Sequence, residues 1–316
     1  MTDNIVYWNG AFLSDSQARL PLLTHALHYG TGVFEGIRAY HDDRTREVLL
    51  FRALDHFRRM AHNVTLLNIR LPHPPEAMVD IAADLIRRND FRTDVYVRPL
   101  AFKSSARIGV TLPAEDSFAM IAVPLGDYLD TRKGLHCGVS SWRRLQDNAI
   151  PSRAKICGAY VNSALAAQEA RDRGFDEAIM LNEAGHVAEG SAMNLFLVRD
   201  GRLVTPDVAS GILEGITRDS VMTLACETMG VHTIERVVER TELYIADEVF
   251  LCGTAAQIAP VTRVDGRTVG TGKPGSITLE IQEQYGRAVR RHLPRYTSWT
   301  EPVYGTPAER ATRGAA

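Results

Sequence analysis

Lysine is nearly absent from this chain. Of its 36 basic residues four are lysines, Lys103, Lys133, Lys155 and Lys273, and arginine carries the rest. Cysteine is as sparse: Cys137, Cys157, Cys226 and Cys252 form no CxxC pair and lie in apolar contexts. That reads as buried free thiols in a reducing cytoplasm, and no metal-ligand set is assigned. No apolar run approaches the ~18 residues of a membrane-spanning helix. The opening "MTDNIVYWNGAFLSD" has no basic segment followed by an apolar core, which argues against a secretory signal. A net charge of −2 offers nothing to a nucleic acid and no electrostatic pull toward a membrane surface. A cytoplasmic protein is expected.

What is present is ordinary in bulk. The 316 residues, 45% apolar and 23% charged, suit a globular chain of about two domains. Asn9-Gly10 between two apolar runs signals a hairpin. Helical spacing appears in "ALDHFRRMAHNVTLLN" and in "PPEAMVDIAADLIRRND", where Pro75 suits a first turn. "VYVRPLAF" and "SFAMIAVPL" read as strands. This first half mixes hairpin-linked strands with helices. We expect a smaller α+β domain over residues 1–125, a linker over 126–134 around "GDYLDTRKG", and a larger domain over 135–316. In the second half "LHCGVSSWRR" opens as a strand, and "GAYVNSALAAQEARDR" is a helix closed by Gly174. Antiparallel strands turn at "NEAG" and at Asp200-Gly201. "TRDSVMTLACETM" is a helix stopped by Gly230. "EVFLCG" is a short buried strand leading to a hairpin, and "SITLEIQEQYGRAVRRHL" is the last helix. From Tyr296 on the chain should be poorly ordered.

Five segments carry possible chemistry, and each has a plain alternative. Lys155 stands between small and apolar residues in "IPSRAKICGAYVNS", with Tyr160 five residues on. Lys133 and Lys273 lie in loop-like settings and Lys103 ends an apolar strand pattern. An ammonium is not nucleophilic, but desolvation frees the amine for a Schiff base. The alternative is a lysine snorkelling from a helix start. Glu189 in "HVAEGSAMNLFLV" precedes an apolar strand. It either needs a cationic or N–H partner or is a surface turn residue. Gly215 and Thr217 in "GILEGITRDS" open a helix, which is either an anion site or merely a glycine turn. Gly253-Thr254-Ala255-Ala256 ends a buried strand, as a phosphate or carboxylate holder or a tight turn. Tyr96 and Arg98 in "YVRPL" share a strand face and can converge on a carboxylate, unless they are an edge-strand surface pair.

The order and company of these segments resemble the class IV, fold-type IV pyridoxal-phosphate enzymes, and within them the branched-chain amino acid aminotransferases. The matching stretches are "LHYGTGVFEGIRAY", "HFRRM", "YVRPLAF", "SSWRR" with "IPSRAKICGAYVNS", "EGSAMNLFLV", "LEGITRD" and "ADEVFLCGTAAQIAPV". They run from about Trp8 to about Leu293. The resemblance implies an α+β / α/β fold in two domains, the C-terminal one mixed, barrel-like and decorated with helices. It implies pyridoxal 5′-phosphate as cofactor and Lys155 as Schiff-base lysine and proton shuttle. Tyr160 would meet the cofactor's 3-oxygen and Glu189 its pyridine nitrogen, keeping the ring an electron sink. Arg59, Ile216, Thr217 and Thr254 would hold the phosphate. Leu213 would lie against the ring, with Asn194 nearby.

For substrate, the resemblance assigns Phe34, Gly36, Tyr96 and Ala255 to the pocket walls. Tyr96 with the amides of Thr254 and Ala255 would take the α-carboxylate, and Arg98 the distal carboxylate of glutamate. Tyr29 and Val110 match positions supplied by a partner subunit, so a homodimer is implied, with a higher homo-oligomer open; Arg38 would support that edge. The expected reaction moves the amino group of leucine, isoleucine or valine to 2-oxoglutarate with ping-pong kinetics. Sister activities on the fold are a D-amino acid or (R)-amine transaminase and aminodeoxychorismate lyase. Three positions depart from the pattern. Leu125 stands where many bacterial members carry Trp, and Ile108 where Met is common. Arg107 occupies a loop that is usually neutral, pointing either into a neighbouring site or to solvent.

Overall fold

The computed structural model describes residues 4–126 and 133–305. The chain divides into two compact units, Met1–Gly126 with Arg287–Ala316, and Asp127–Gly286. Most of the expected linker, 126–134, lies outside the described residues.

The first unit opens with β1 (Ile5–Trp8) and β2 (Ala11–Ser14). Trp8 pairs with Ala11 across Asn9 (φ 44°) and Gly10 (φ 98°). Both central residues are left-handed, as a two-residue hairpin turn of primed type requires. A short α1 (His25–Tyr29), β3 (Gly32–Phe34), β4 (Ile37–Asp42) and β5 (Glu47–Phe51) follow. Then come α2 (Ala53–Asn63), α3 (Pro75–Arg88), β6 (Val95–Lys103) and β7 (Asp116–Pro124). Pro75 occupies the first turn of α3, where its missing N–H costs nothing. The apolar faces of these two helices, Phe57 and Met60 on α2 and Met78, Leu85 and Ile86 on α3, are buried. Each such side chain contributes about 1.5–3 kcal/mol by leaving water.

β6 lies between β4 and β7 in an antiparallel sheet. Tyr96 and Arg98 are therefore on an interior strand, and the edge-strand alternative is set aside. Lys103 ends β6, as the strand pattern suggests. It is 1% exposed, because the register sets Asp116 opposite it; its ammonium lies 2.9 Å from that carboxylate and donates to the Asn68 carbonyl at 2.6 Å.

The second unit holds β8 (Leu135–Arg143), α4 (Tyr160–Asp172), β9 (Glu177–Leu181), β10 (Val187–Gly190), β11 (Asn194–Arg199) and β12 (Arg202–Pro206). It continues through α5 (Ile216–Met229), β13 (Thr233–Arg236), α6 (Glu242–Ile245), β14 (Glu248–Gly253), β15 (Gln257–Val264), β16 (Arg267–Thr268) and α7 (Ser276–Ala288). Its sheet runs β10-β9-β8-β15-β14-β11-β12-β13, with β16 on β15. The pairs β8/β9, β8/β15 and β12/β13 are parallel and the rest antiparallel. Leu195, Leu197, Val204, Val249, Leu251 and Val261 form much of its core. Ala166 and Ala170 let α4 press closely on Ala178 and Met180 of β9. The turns at Asp200-Gly201 and Asp265-Gly266 are left-handed at both residues, and Gly230 (φ 67°) caps α5.

The expectation of four buried thiols is corrected. Cys137 and Cys252 are buried, Cys157 is half-buried and Cys226 is exposed. Cys226 falls on the face of α5 opposite Val221, Leu224 and Ala225. The C-terminal expectation also changes. Beyond Tyr296, β17 (Thr300–Pro302) pairs antiparallel with β5, so this stretch joins the first sheet. No helix among the described residues is long and apolar enough to cross a membrane.

Candidate active site

In the second unit the connection after β8 delivers Lys155 ahead of a single 3-10 turn, Cys157–Ala159, that leads into α4. Half-buried, it donates from Nζ to the phenol oxygen of Tyr160 at 2.6 Å. Tyr160 starts α4, so its ring is fixed from the helix while Lys155 reaches it from the loop.

Glu189 sits on β10, where the register with β9 shifts, and is 4% exposed. Three groups meet its carboxylate. Arg144 Nη2 lies 2.7 Å from Oε1, while the Asn194 side-chain amide and the Leu213 backbone N–H each donate to Oε2 at 3.1 Å. Asn194 also donates to the Leu213 carbonyl at 2.9 Å, so one amide ties the Leu213 loop to the acid. Burial pushes the Glu189 carboxyl above its ordinary range, and the opposing pull of Arg144 and the Leu213 N–H does not fully offset it. A carboxylate has about four lone-pair sites. Three donors leave acceptor capacity for one more, and a protonated ring nitrogen is such a donor.

Arg144 had no role in the sequence reading, although it stands in the quoted "SSWRR". No local signal separates the two adjacent arginines: Arg143 is exposed and Arg144 is buried. Arg218 was missed as well. Buried in the first turn of α5, it donates to the Pro206 carbonyl at 3.1 Å and to Glu235 at 2.7 Å.

α5 starts at Ile216 after Gly215, and no side chain caps it. Ile216 and Thr217 are both buried there. A Cβ on Gly215 would stand 1.9 Å from Asn194 Oδ1, so only glycine lets the helix start come this close to the Glu189 clamp. Thr254 and Ala255 lie in the tight turn between β14 and β15, closed by the Gly253 and Gln257 pair. Asn194 pairs with Cys252 across β11 and β14, which sets that turn two residues beyond the clamp. A glycine-led helix start, a turn hydroxyl, a lysine on a phenol and a buried acid with spare acceptor capacity form a set that fits pyridoxal phosphate.

The first unit gathers the other expected residues into separate groups. Phe34, Gly36, Tyr96 and Arg98 come together. Arg98 donates to the Tyr96 hydroxyl at 2.8 Å, and its guanidinium carbon lies 4.5 Å from the Phe34 ring centroid. A Cβ on Gly36 would fall 2.1 Å from the Tyr96 oxygen. Arg38 is opposite Tyr96 in register, but its guanidinium runs instead to Asp94 at 2.9 Å and to the carbonyls of Leu125 and Gly126. Arg59 meets Glu35 with two parallel bonds of 2.7 Å. The Tyr29 hydroxyl accepts the Gly109 N–H at 3.0 Å, and His25 contacts the Gly109 carbonyl at 2.9 Å, so α1 holds the loop that carries Val110. Arg107 folds back to the Thr111 carbonyl and hydroxyl of the same loop.

A model of the family described as amino-transferase class IV matches residues 32–264. A probable branched-chain-amino-acid aminotransferase of Aquifex aeolicus is 43% identical over 302 residues, spanning 95% of this chain and 97% of that one. The crystal structure of the branched-chain aminotransferase of Thermoproteus uzoniensis with norvaline superposes with a TM-score of 0.91 at 40% identity, covering 96% of this chain and all of that one (100%). The branched-chain amino acid aminotransferase of Thermobaculum terrenum, in its PLP-bound holo form, gives the same TM-score of 0.91 at 38% identity, covering 96% of this chain and 99% of that one.

Proposed function

This chain belongs to the class IV aminotransferases and has their fold, and from that footing we propose that it transfers the amino group of leucine, isoleucine or valine to 2-oxoglutarate, yielding branched-chain 2-oxo acids and L-glutamate. Pyridoxal 5′-phosphate is the cofactor. The observation that carries the reading is Lys155 donating to Tyr160 at 2.6 Å, in the same unit as the buried, cation-held Glu189.

When bound, the cofactor supplies an electron sink for the charge that develops as the substrate Cα loses its proton. The residues of the chain do the rest. Tyr160 holds Lys155 Nζ at the reacting end. Lys155 Nζ takes the Cα proton and redelivers it, as base and then as acid. Glu189, oriented by Arg144 and Asn194, keeps a proton on the ring nitrogen. Ile216 and Thr217 at the start of α5, Thr254 and Arg59 receive the phosphate, with Leu213 against the ring. Phe34 and Gly36 give the substrate apolar walls, and Tyr96 with the Thr254 and Ala255 amides takes the α-carboxylate. Arg98, which donates to the Tyr96 hydroxyl, meets the distal carboxylate of glutamate.

The same reading makes the protein a cytoplasmic homodimer to which Tyr29, Val110 and, as an edge support, Arg38 contribute. It is supported by exposed apolar side chains on the two segments concerned: Leu22 (86%) before α1 and Leu27 (59%) on it, and Ile108 (66%) and Val110 (79%) on the loop that α1 holds. A donor panel tests the activity, with L-leucine, L-isoleucine, L-valine, D-alanine and (R)-1-phenylethylamine against 2-oxoglutarate and pyruvate. The L-branched donors with 2-oxoglutarate should be fastest. If these are inactive while the (R)-amine reacts, the reading fails.

A further inference from the structure

We propose that Glu35 and His56 are positioning residues for cofactor phosphate binding, acting by fixing the guanidinium plane of Arg59. The proposal deepens the reading above and rests on its assignment of Arg59 to the phosphate.

Glu35 lies in the break between β3 and β4, 0% exposed, with its own N–H tied to the Pro99 carbonyl at 3.0 Å. Its carboxylate accepts Arg59 Nε on Oε1 and Arg59 Nη2 on Oε2, both at 2.7 Å, and meets His56 Nδ1 on Oε2 at 2.8 Å. Because a carboxylate accepts, Nδ1 carries the proton in that contact. His56 and Arg59 stand three residues apart on α2, so the helix presents both to the same acid. Desolvation raises the Glu35 carboxyl, but Arg59 and His56 outweigh it and hold the group well below the ordinary carboxylate range.

A buried carboxylate beside a phosphate-binding arginine is at first sight counterproductive, since it cancels the charge that attracts a dianion. Geometry supplies the compensation. Arginine is a planar fork whose side chain otherwise samples many rotamers. Two parallel bonds to Glu35 consume one edge of the fork and fix its plane. Ordering the guanidinium before the cofactor arrives removes an entropic cost from binding. His56 in turn prevents Glu35 from rotating. The two accounts predict opposite signs. If net charge governs, neutralising Glu35 tightens phosphate binding; if orientation governs, it weakens it.

Apo protein prepared from the holoenzyme is titrated with pyridoxal 5′-phosphate and, separately, with pyridoxal, which lacks the phosphate. Glu35→Gln should weaken the phosphorylated cofactor by about tenfold, the scale of losing a charge-assisted hydrogen bond, and leave pyridoxal within about twofold. At His56, Asn can donate where Nδ1–H does and should stay near the original affinity, whereas Leu should fall toward Glu35→Gln. Should Glu35→Gln not fold, the Asn and Leu contrast decides. Unchanged or tighter phosphate-cofactor binding in Glu35→Gln overturns the proposal, as does an equal loss for pyridoxal. Arg59→Ala is the reference: if it leaves the phosphorylated cofactor unaffected, the assignment of Arg59 fails and the proposal with it.

Discussion

Arg144 grips Glu189, Nη2 to Oε1 at 2.7 Å, and both side chains are buried. The pair explains how a carboxylate can be kept in a desolvated strand without a surface to retreat to. Arg144→Met should therefore destabilise the apo protein by about 3 kcal/mol, because it strands a buried carboxylate with only neutral partners. Urea unfolding of the two apo proteins checks this. A change below about 0.5 kcal/mol, the ordinary surface range, would mean that Asn194 and the Leu213 N–H suffice.

Lys155→Ala removes the amine held on Tyr160. Transamination between L-leucine and 2-oxoglutarate should drop on the order of 10³-fold, the range of lost acid–base catalysis. Borohydride should fix cofactor covalently to the original protein and not to the variant. Retention of most of the activity would strip Lys155 of its role.

Gly215→Ala asks for a Cβ 1.9 Å from Asn194 Oδ1. The backbone there has φ −74°, so the cost is steric and not conformational. Overpacking of this kind costs about 1–3 kcal/mol, and the displaced Asn194 should loosen the Leu213 loop from Glu189. Thermal melts should show the loss, and the added cofactor should bind more weakly. An unchanged cofactor affinity would separate the start of α5 from the Glu189 clamp.

Glu35 gives the acid limb of stability a definite sign. Its carboxyl titrates lower in the folded protein than the ~4.3 of an unperturbed glutamate. Its contribution is thus fully present above about pH 4.3 and is lost as pH falls toward the folded value. Denaturation midpoints measured from pH 7 down to pH 3 should fall less steeply in Glu35→Gln than in the original chain. Parallel curves would assign the acid limb to other carboxylates, with Asp42, Asp265 and Glu242 held low in the same way.

Much of this was legible because local rules and tertiary structure agree. Asn9-Gly10, Asp200-Gly201, Gly230 and Pro75 each do what their backbone chemistry dictates. The family motifs point to Lys155, Tyr160 and Glu189, and the structure joins Lys155 to Tyr160 and buries Glu189 in the same unit. What stayed hidden depended on long-range register. Lys103 does end its strand, but nothing local announces its burial against Asp116. Arg144 was one of two adjacent arginines, and only the fold decides which turns inward. Arg38, opposite Tyr96, gave no sign that it would run to Asp94. The segment after Tyr296 carries the residues of a loose end, yet β5 offers it an open ladder of hydrogen-bonding groups.

That last pairing bears on how the protein is made. The first unit is closed by residues that follow the whole of Asp127–Gly286 in the chain. During synthesis the second unit can complete its sheet while β5 still exposes an unsatisfied edge, a template for wrong partners. Thr300–Pro302 leaves the ribosome long after β5, and it acts as a latch on a sheet whose first strand begins at Ile5. A truncation that looks harmless in length, ending before Thr300, would release a nascent chain with that edge open for good.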